Sequence, residues 1–234
     1  MNRVPMFERR SFWGVVLLLC AIAAAVSIRR LVALAGAPAS GTSEFAALDA
    51  FFAAKPGLTR GHVLAGLVLA LAIPVQLSSR VRNRYPHVHR WLGRFLLPVG
   101  MLVGLTGYRM VAVPVGGWVE TTAIVLYATA FMAALLTAWW HIRHRNVAGH
   151  REWMLRAVGI VLGIATARPV MGVFFATSSL THLAPSQFFG VAMWIGFTST
   201  LVAAEWYVRH TRPRTTAVDS LSVGSAPRLQ GDEA

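Results

Sequence analysis

Acidic residues are scarce in this chain: nine Asp and Glu stand against 22 Lys and Arg in 234 residues, and only 13% of residues are charged. With 56% hydrophobic residues and a mean hydropathy of +0.56, this shortage of charge excludes an ordinary water-soluble domain and makes the bilayer the natural solvent. Cysteine is nearly absent. The single Cys20 lies in an apolar run and rules out a disulfide within the chain; it reads as a small packed or lipid-facing residue. The Gly-x-Ser-x-Gly elbow, the His-Glu-x-x-His zinc pattern, the phosphate-binding Gly-Lys-Ser/Thr loop and the dinucleotide glycine fingerprint are all missing, which speaks against a hydrolase or nucleotide enzyme. The net charge of +13 would suit nucleic acid, but the arginines fall between long apolar runs rather than along one polar surface, so that partner is rejected.

What the chain does have is long apolar runs. A spanning helix needs about 20 mainly apolar residues. Six runs qualify, near 11–28, 61–79, 91–113, 117–140, 153–178 and 187–209, and they predict an all-α bundle of six membrane-spanning helices in one domain, 1–210. Of the 22 basic residues, 16 gather in the N-terminal tail, around the second-to-third and fourth-to-fifth connections, and after the sixth run. By the positive-inside rule both termini are then cytoplasmic, in a bacterial inner membrane, with the basic ends meeting anionic lipid head groups. Trp91, Trp139, Trp140, Trp153 and Trp206 form an aromatic belt at that boundary. The first run has a signal-peptide flavour, but Arg29 and Arg30 interrupt it before any cleavage site. Residues 43–54 predict a short interfacial amphipathic helix, and the Ser-, Thr- and Pro-rich tail 211–234 predicts disorder.

Polar residues form two belts. The inner one holds His87, His89, Arg94, His141, His144, His150, Glu152 and Arg156; the outer one holds Arg60, His62, Arg109, Glu120, Arg168 and His182. At about 1.5 Å per residue, Arg168 lies roughly 27 Å from His150, nearly a hydrocarbon thickness. Helical phase puts His89, Gly93, Gly100, Gly104 and Gly107 on one face of the third run, suited to close helix packing or to a flat ring. In the fourth run His141, Ala134, Tyr127, Ala123 and Glu120 share a face that suits the bundle interior. In the fifth, His150 aligns with Met154, Val161, Ala165 and Arg168, while Gly159 and Gly163 face the other way with Arg156. That mismatch counts against a porphyrin lying flat along both helices. Pro74, Pro98 and Pro169 within the runs hint at a cavity.

The segment from His62 through Gln76 to His89-Arg90-Trp91-Leu92-Gly93-Arg94, followed by His150-Arg151-Glu152-Trp153-Met154-Leu155-Arg156 and Arg168, resembles the bacterial membrane-protein family catalogued as domain of unknown function 2306. The likeness covers about 61–169 and implies a multipass membrane protein without an assigned activity. More loosely the layout is similar to cytochrome b561-type proteins, which hold haem between histidines of facing helices. The outer end of the fourth run offers no histidine partner for His62, so this likeness implies at most one haem, on the cytoplasmic side.

Three functional readings follow. One is electron transfer through a single b-type haem, with His89 and His150 as axial ligands, His141 the alternate, Arg94 and Arg156 on the propionates, and an unknown electron donor or acceptor. A second is a transporter or small-ligand binder using His62, Arg109, Glu120 and Arg168. The third is a non-catalytic protein whose basic belt binds lipid or a partner. No metal beyond a haem iron is expected, since His141 and His144 lack a complete zinc set.

Overall fold

Helix starts are set by local signals. Proline stands in the first turn of three helices, where its missing N–H costs nothing, and the Asn146 side chain caps another by accepting from Gly149 N at 2.8 Å. The computed structural model describes residues 6–36 and 44–212. Among these, nine helices and no strand form: α1 (Met6–Ala35), α2 (Glu44–Ala53), α3 (Pro56–Leu77), α4 (Ser79–Arg84), α5 (Pro86–Met110), α6 (Gly117–Arg143), α7 (Val147–Ala176), α8 (Ser178–Thr181) and α9 (Pro185–His210). All six apolar runs are helical. Five of the helices, α1, α3, α6, α7 and α9, are long and apolar enough to cross a membrane. α5 has the length, with 25 residues, but His87, His89, Arg90, Arg94, Arg109 and its glycines dilute its apolar character. The helix expected at 43–54 is α2; the tail beyond 212 lies outside the described residues.

The long helices close a ring. α1 packs on α3, α3 on α5, α5 on α6, α6 on α7, and α7 returns to α1; α9 lies along α7 and α6. The α7–α9 seam is the tightest. Cβ atoms built on Gly159 and Gly163 would stand 2.6 Å from Ala204 Cβ and 2.5 Å from the Phe197 ring, so only glycine permits this approach. A second cluster of Val16, Cys20, Ile73 and Leu162 joins α1 to α3 and α7, which places Cys20 as packing. Leucines such as Leu18, Leu71, Leu105 and Leu136 are exposed on the outside of the bundle, the pattern expected where the surrounding solvent is lipid.

One end of the bundle is rich in arginine and carries Arg80–Arg84, Arg143–Arg151 and Arg209. At the opposite end α2 folds back on α1: Asp49 pairs with Arg30 and with Arg29, the latter at 3.1 Å. The Arg30 guanidinium lies 4.3 Å from the Phe52 ring centre, and Thr59 Oγ1 donates to Phe52 O at 2.9 Å. α2 is thus tied to the ring at this end.

Candidate functional site

At the arginine-rich end stand the two motif histidines, His89 on α5 and His150 on α7, within electrostatic reach of each other. His150 Nδ1 donates to Ala138 O at 3.0 Å, which leaves Nε2 as its free nitrogen, and the buried Nδ1 of His89 has no hydrogen-bond partner. The surrounding groups are already engaged. His141 Nδ1 accepts from the Asn146 amide at 3.1 Å, and the His141 ring lies against Gly149. His144 donates to Trp140 O at 2.8 Å, a local cap. Among the described residues no three His, Cys, Asp or Glu side chains gather as a metal site.

The arginines expected at haem propionates have protein partners in this structure. Arg156 is held by Glu205 (Nε to Oε2, 2.8 Å) and Glu152 (3.8 Å), while Arg209 takes the other oxygen of Glu205 at 2.8 Å and Arg212 donates to Glu152 at 2.8 Å. Arg156 also lies over Trp153 at 4.8 Å, and exposed Arg94 lies over Trp91 at 5.3 Å. Tryptophan faces under arginine cations suit a headgroup boundary. The glycine stripe of α5 is filled by side chains. Gly100 meets Leu135 and Phe131, Gly104 meets Met132, Gly107 meets Ile124, and Gly93 faces Gln76, whose Nε2 donates to His89 O at 3.2 Å. The stripe packs on α6, opening on a cavity of the ring only at Gly104 and Gly107, so the haem reading gains no support from the arginine-rich end.

The opposite half of the ring is hollow. A cavity of about 220 Å³ lies among α1, α3, α5, α6 and α7, with α9 reaching it through Phe189, Met193 and Phe197. Its charged and histidine lining consists of Arg30, His62, Glu120 and Arg168, four groups from four helices. Three of these belong to the expected outer set. The fourth member of that set, Arg109, is exposed and lines nothing here; Arg60 and His182 are also exposed, Arg60 donating to Leu34 O at 2.6 Å.

Each cavity group is held differently. The Thr106 hydroxyl donates to Leu102 O at 2.6 Å, so it accepts from His62 Nδ1 at 2.7 Å, and Nε2 becomes the free nitrogen of that ring. Glu120 is buried, and its Oε2 accepts from Gly116 N at 2.7 Å. Arg168 is the hub. It interacts through its charge with His62 and Glu120, yet among the described residues no carboxylate forms an ion pair with it, and its one hydrogen bond reaches Met171 Sδ at 3.5 Å. Such a guanidinium is a ready anion site, with planar donors matched to a carboxylate or phosphate.

Two features escaped the sequence reading. Arg30 joins the cavity through Ala23, Val26 and Ser27, a small and polar stripe at helical spacing in α1 that could have been read. Glu205, the partner of Arg156, sits 49 residues farther along, with no sequence signal linking the two.

No curated protein and no solved structure matches this chain. A family model described as "Predicted membrane protein (DUF2306)" matches residues 59–208, from the start of α3 nearly to the end of α9, and the chain therefore belongs to that membrane-protein family.

Proposed function

We propose that this is a small-ligand-binding membrane protein whose ring cavity receives an anionic solute on Arg168. The observation that carries the reading is the unpaired guanidinium of Arg168, which lines a cavity together with His62 and Glu120. An unpaired charge inside a helix bundle is costly by several kcal/mol, and the usual reason for keeping one is a ligand or pathway. The anion supplies the hydrogen-bonded counter-charge that Glu120, beyond ion-pair distance, does not. The topology belonging to this reading has six spans with α5 among them, the arginine-rich end and both termini in the cytoplasm of a bacterial cell, and the cavity in the outer half of the inner membrane. Its arginine and tryptophan belt meets anionic lipid head groups.

The test is the thermal-unfolding midpoint of the purified protein with and without acetate, succinate or inorganic phosphate. A bound ligand at about 100 times its Kd stabilises by about 2.7 kcal/mol. At least one of these anions raises the wild-type midpoint and leaves Arg168→Gln unmoved. Equal shifts in both proteins, or none in the wild type, overturn the reading. The b-type haem reading rests on the electrostatic interaction of His89 and His150 alone; a Soret band that shifts on dithionite reduction and disappears in His89→Ala would restore it.

A further inference from the structure

We infer that the ligand is a single-chain anionic amphiphile: a monocarboxylate with a hydrocarbon tail. The inference rests on the anion-binding reading and assigns the ligand class. Polarity in the cavity is graded along the helix axes. Arg30, Thr59, His62, Glu120 and Arg168 all stand at the end away from the arginine-rich face. Toward the other end the α3 wall continues through Gly66 and Ala70 to Ile73, roughly 21 Å from Thr59 at 1.5 Å per residue.

The floor there is hydrocarbon, built from Ile73, Phe131, Ile160 and Phe197. Tyr127 does not break the pattern. Its hydroxyl bonds Thr198 Oγ1 at 2.6 Å, and its ring stacks on Phe197 with centroids 4.9 Å apart. This floor offers water no free hydrogen-bond partner, so an alkyl chain there gains dispersion contacts that water does not supply. A compact polar anion would satisfy Arg168 and leave the floor unfilled. A ligand with its carboxylate at Arg168 and its chain pointing toward Phe131 uses both parts.

Gly66 supplies the test. It lies on the cavity wall midway between His62 and Ala70, and a Cβ built there meets nothing within 4 Å, so a larger side chain grows into the tail space without a clash. Leucine also favours helix over glycine, which protects folding. Binding of acetate, butyrate, hexanoate and octanoate is measured by calorimetry on the full chain in lipid nanodiscs, because detergent tails would compete. Wild-type affinity rises up to about fourfold per added methylene, the value of one buried CH₂. In Gly66→Leu the series is flat while acetate binds as in the wild type, and in Arg168→Gln no member binds specifically. A flat wild-type series with Arg168-dependent acetate binding overturns the tail assignment and leaves the anion site standing. A series that rises equally in wild type, Gly66→Leu and Arg168→Gln reports partition into lipid and overturns the assignment too. If no anion binds in an Arg168-dependent way, the underlying reading fails and the tail assignment falls with it.

Discussion

Two arginines on one helix, Arg156 and Arg168, differ in what surrounds them, and the difference sets opposite expectations. Arg168 has no carboxylate partner among the described residues, so the unliganded protein bears its burial cost. Arg168→Gln removes that cost, and the unliganded variant unfolds later than the wild type by about 1–3 kcal/mol, read from thermal unfolding; a loss of stability instead would show the charge to be satisfied. Arg156 joins α7 to α9 through Glu205 with its side chain 16% exposed, whereas Arg209 holds the same carboxylate at 72% exposure. Arg156→Ala therefore costs about 1–2 kcal/mol and Arg209→Ala less than about 0.5 kcal/mol, with anion binding intact in both. Equal costs would mean that burial does not rank this network. Helical phase aligned Arg168 with Val161 and Ala165, and all three line the cavity, although the phase alone did not say which way that face points. Partners were another matter. Glu205 is a single acidic residue 49 positions from Arg156, and only packing of α9 on α7 brings the two together.

Among elements, the glycines tell the same story. Phase alone put Gly159 and Gly163 on the face of α7 opposite His150, and that face is the one α9 occupies. Phase also gathered the glycines of α5 into a stripe, but whether a stripe receives a helix or a ring depends on what the neighbour offers. Here α6 offers Leu135, Phe131, Met132 and Ile124. The reading makes glycine substitutions in α7 position-dependent. Gly163→Ala forces Phe197 and the α9 backbone outward and costs about 1–3 kcal/mol by thermal unfolding, as overpacking does. Gly172→Ala, in the same helix with nothing within 4 Å of its added Cβ, is neutral or stabilises by up to about 1 kcal/mol through helix propensity. Similar costs at the two positions would mean that backbone flexibility, not the α9 approach, explains these glycines.

At the scale of the molecule, the apolar runs and the spacing of arginines made the class legible, while the closure of the ring was not. The family match begins at residue 59 and omits α1 and α2, yet α1 completes the ring and supplies Arg30 to the cavity. The number of spans turns on α5, the one long helix that falls short in apolar composition. On the proposed topology α5 crosses between α3 and α6, on which it packs, and α6 then brings the Arg143 turn to the same side as the N-terminus. At about 1.5 Å per residue its 25 residues reach about 37 Å, more than the roughly 30 Å of hydrocarbon. Its glycines pack on α6 as a spanning neighbour's would. The single native cysteine makes the sidedness direct to test. In a Cys20→Ser background, Ala54→Cys beside α3 and Arg143→Cys at the end of α6 each place one thiol at an exposed position. In intact cells a membrane-impermeant maleimide labels Ala54→Cys, and it reaches Arg143→Cys only after permeabilisation. Labelling of Arg143→Cys but not Ala54→Cys in intact cells would invert the whole bundle, because the packing of α1, α3, α6 and α7 fixes their relative directions, and would carry the cavity to the wrong side for an external solute.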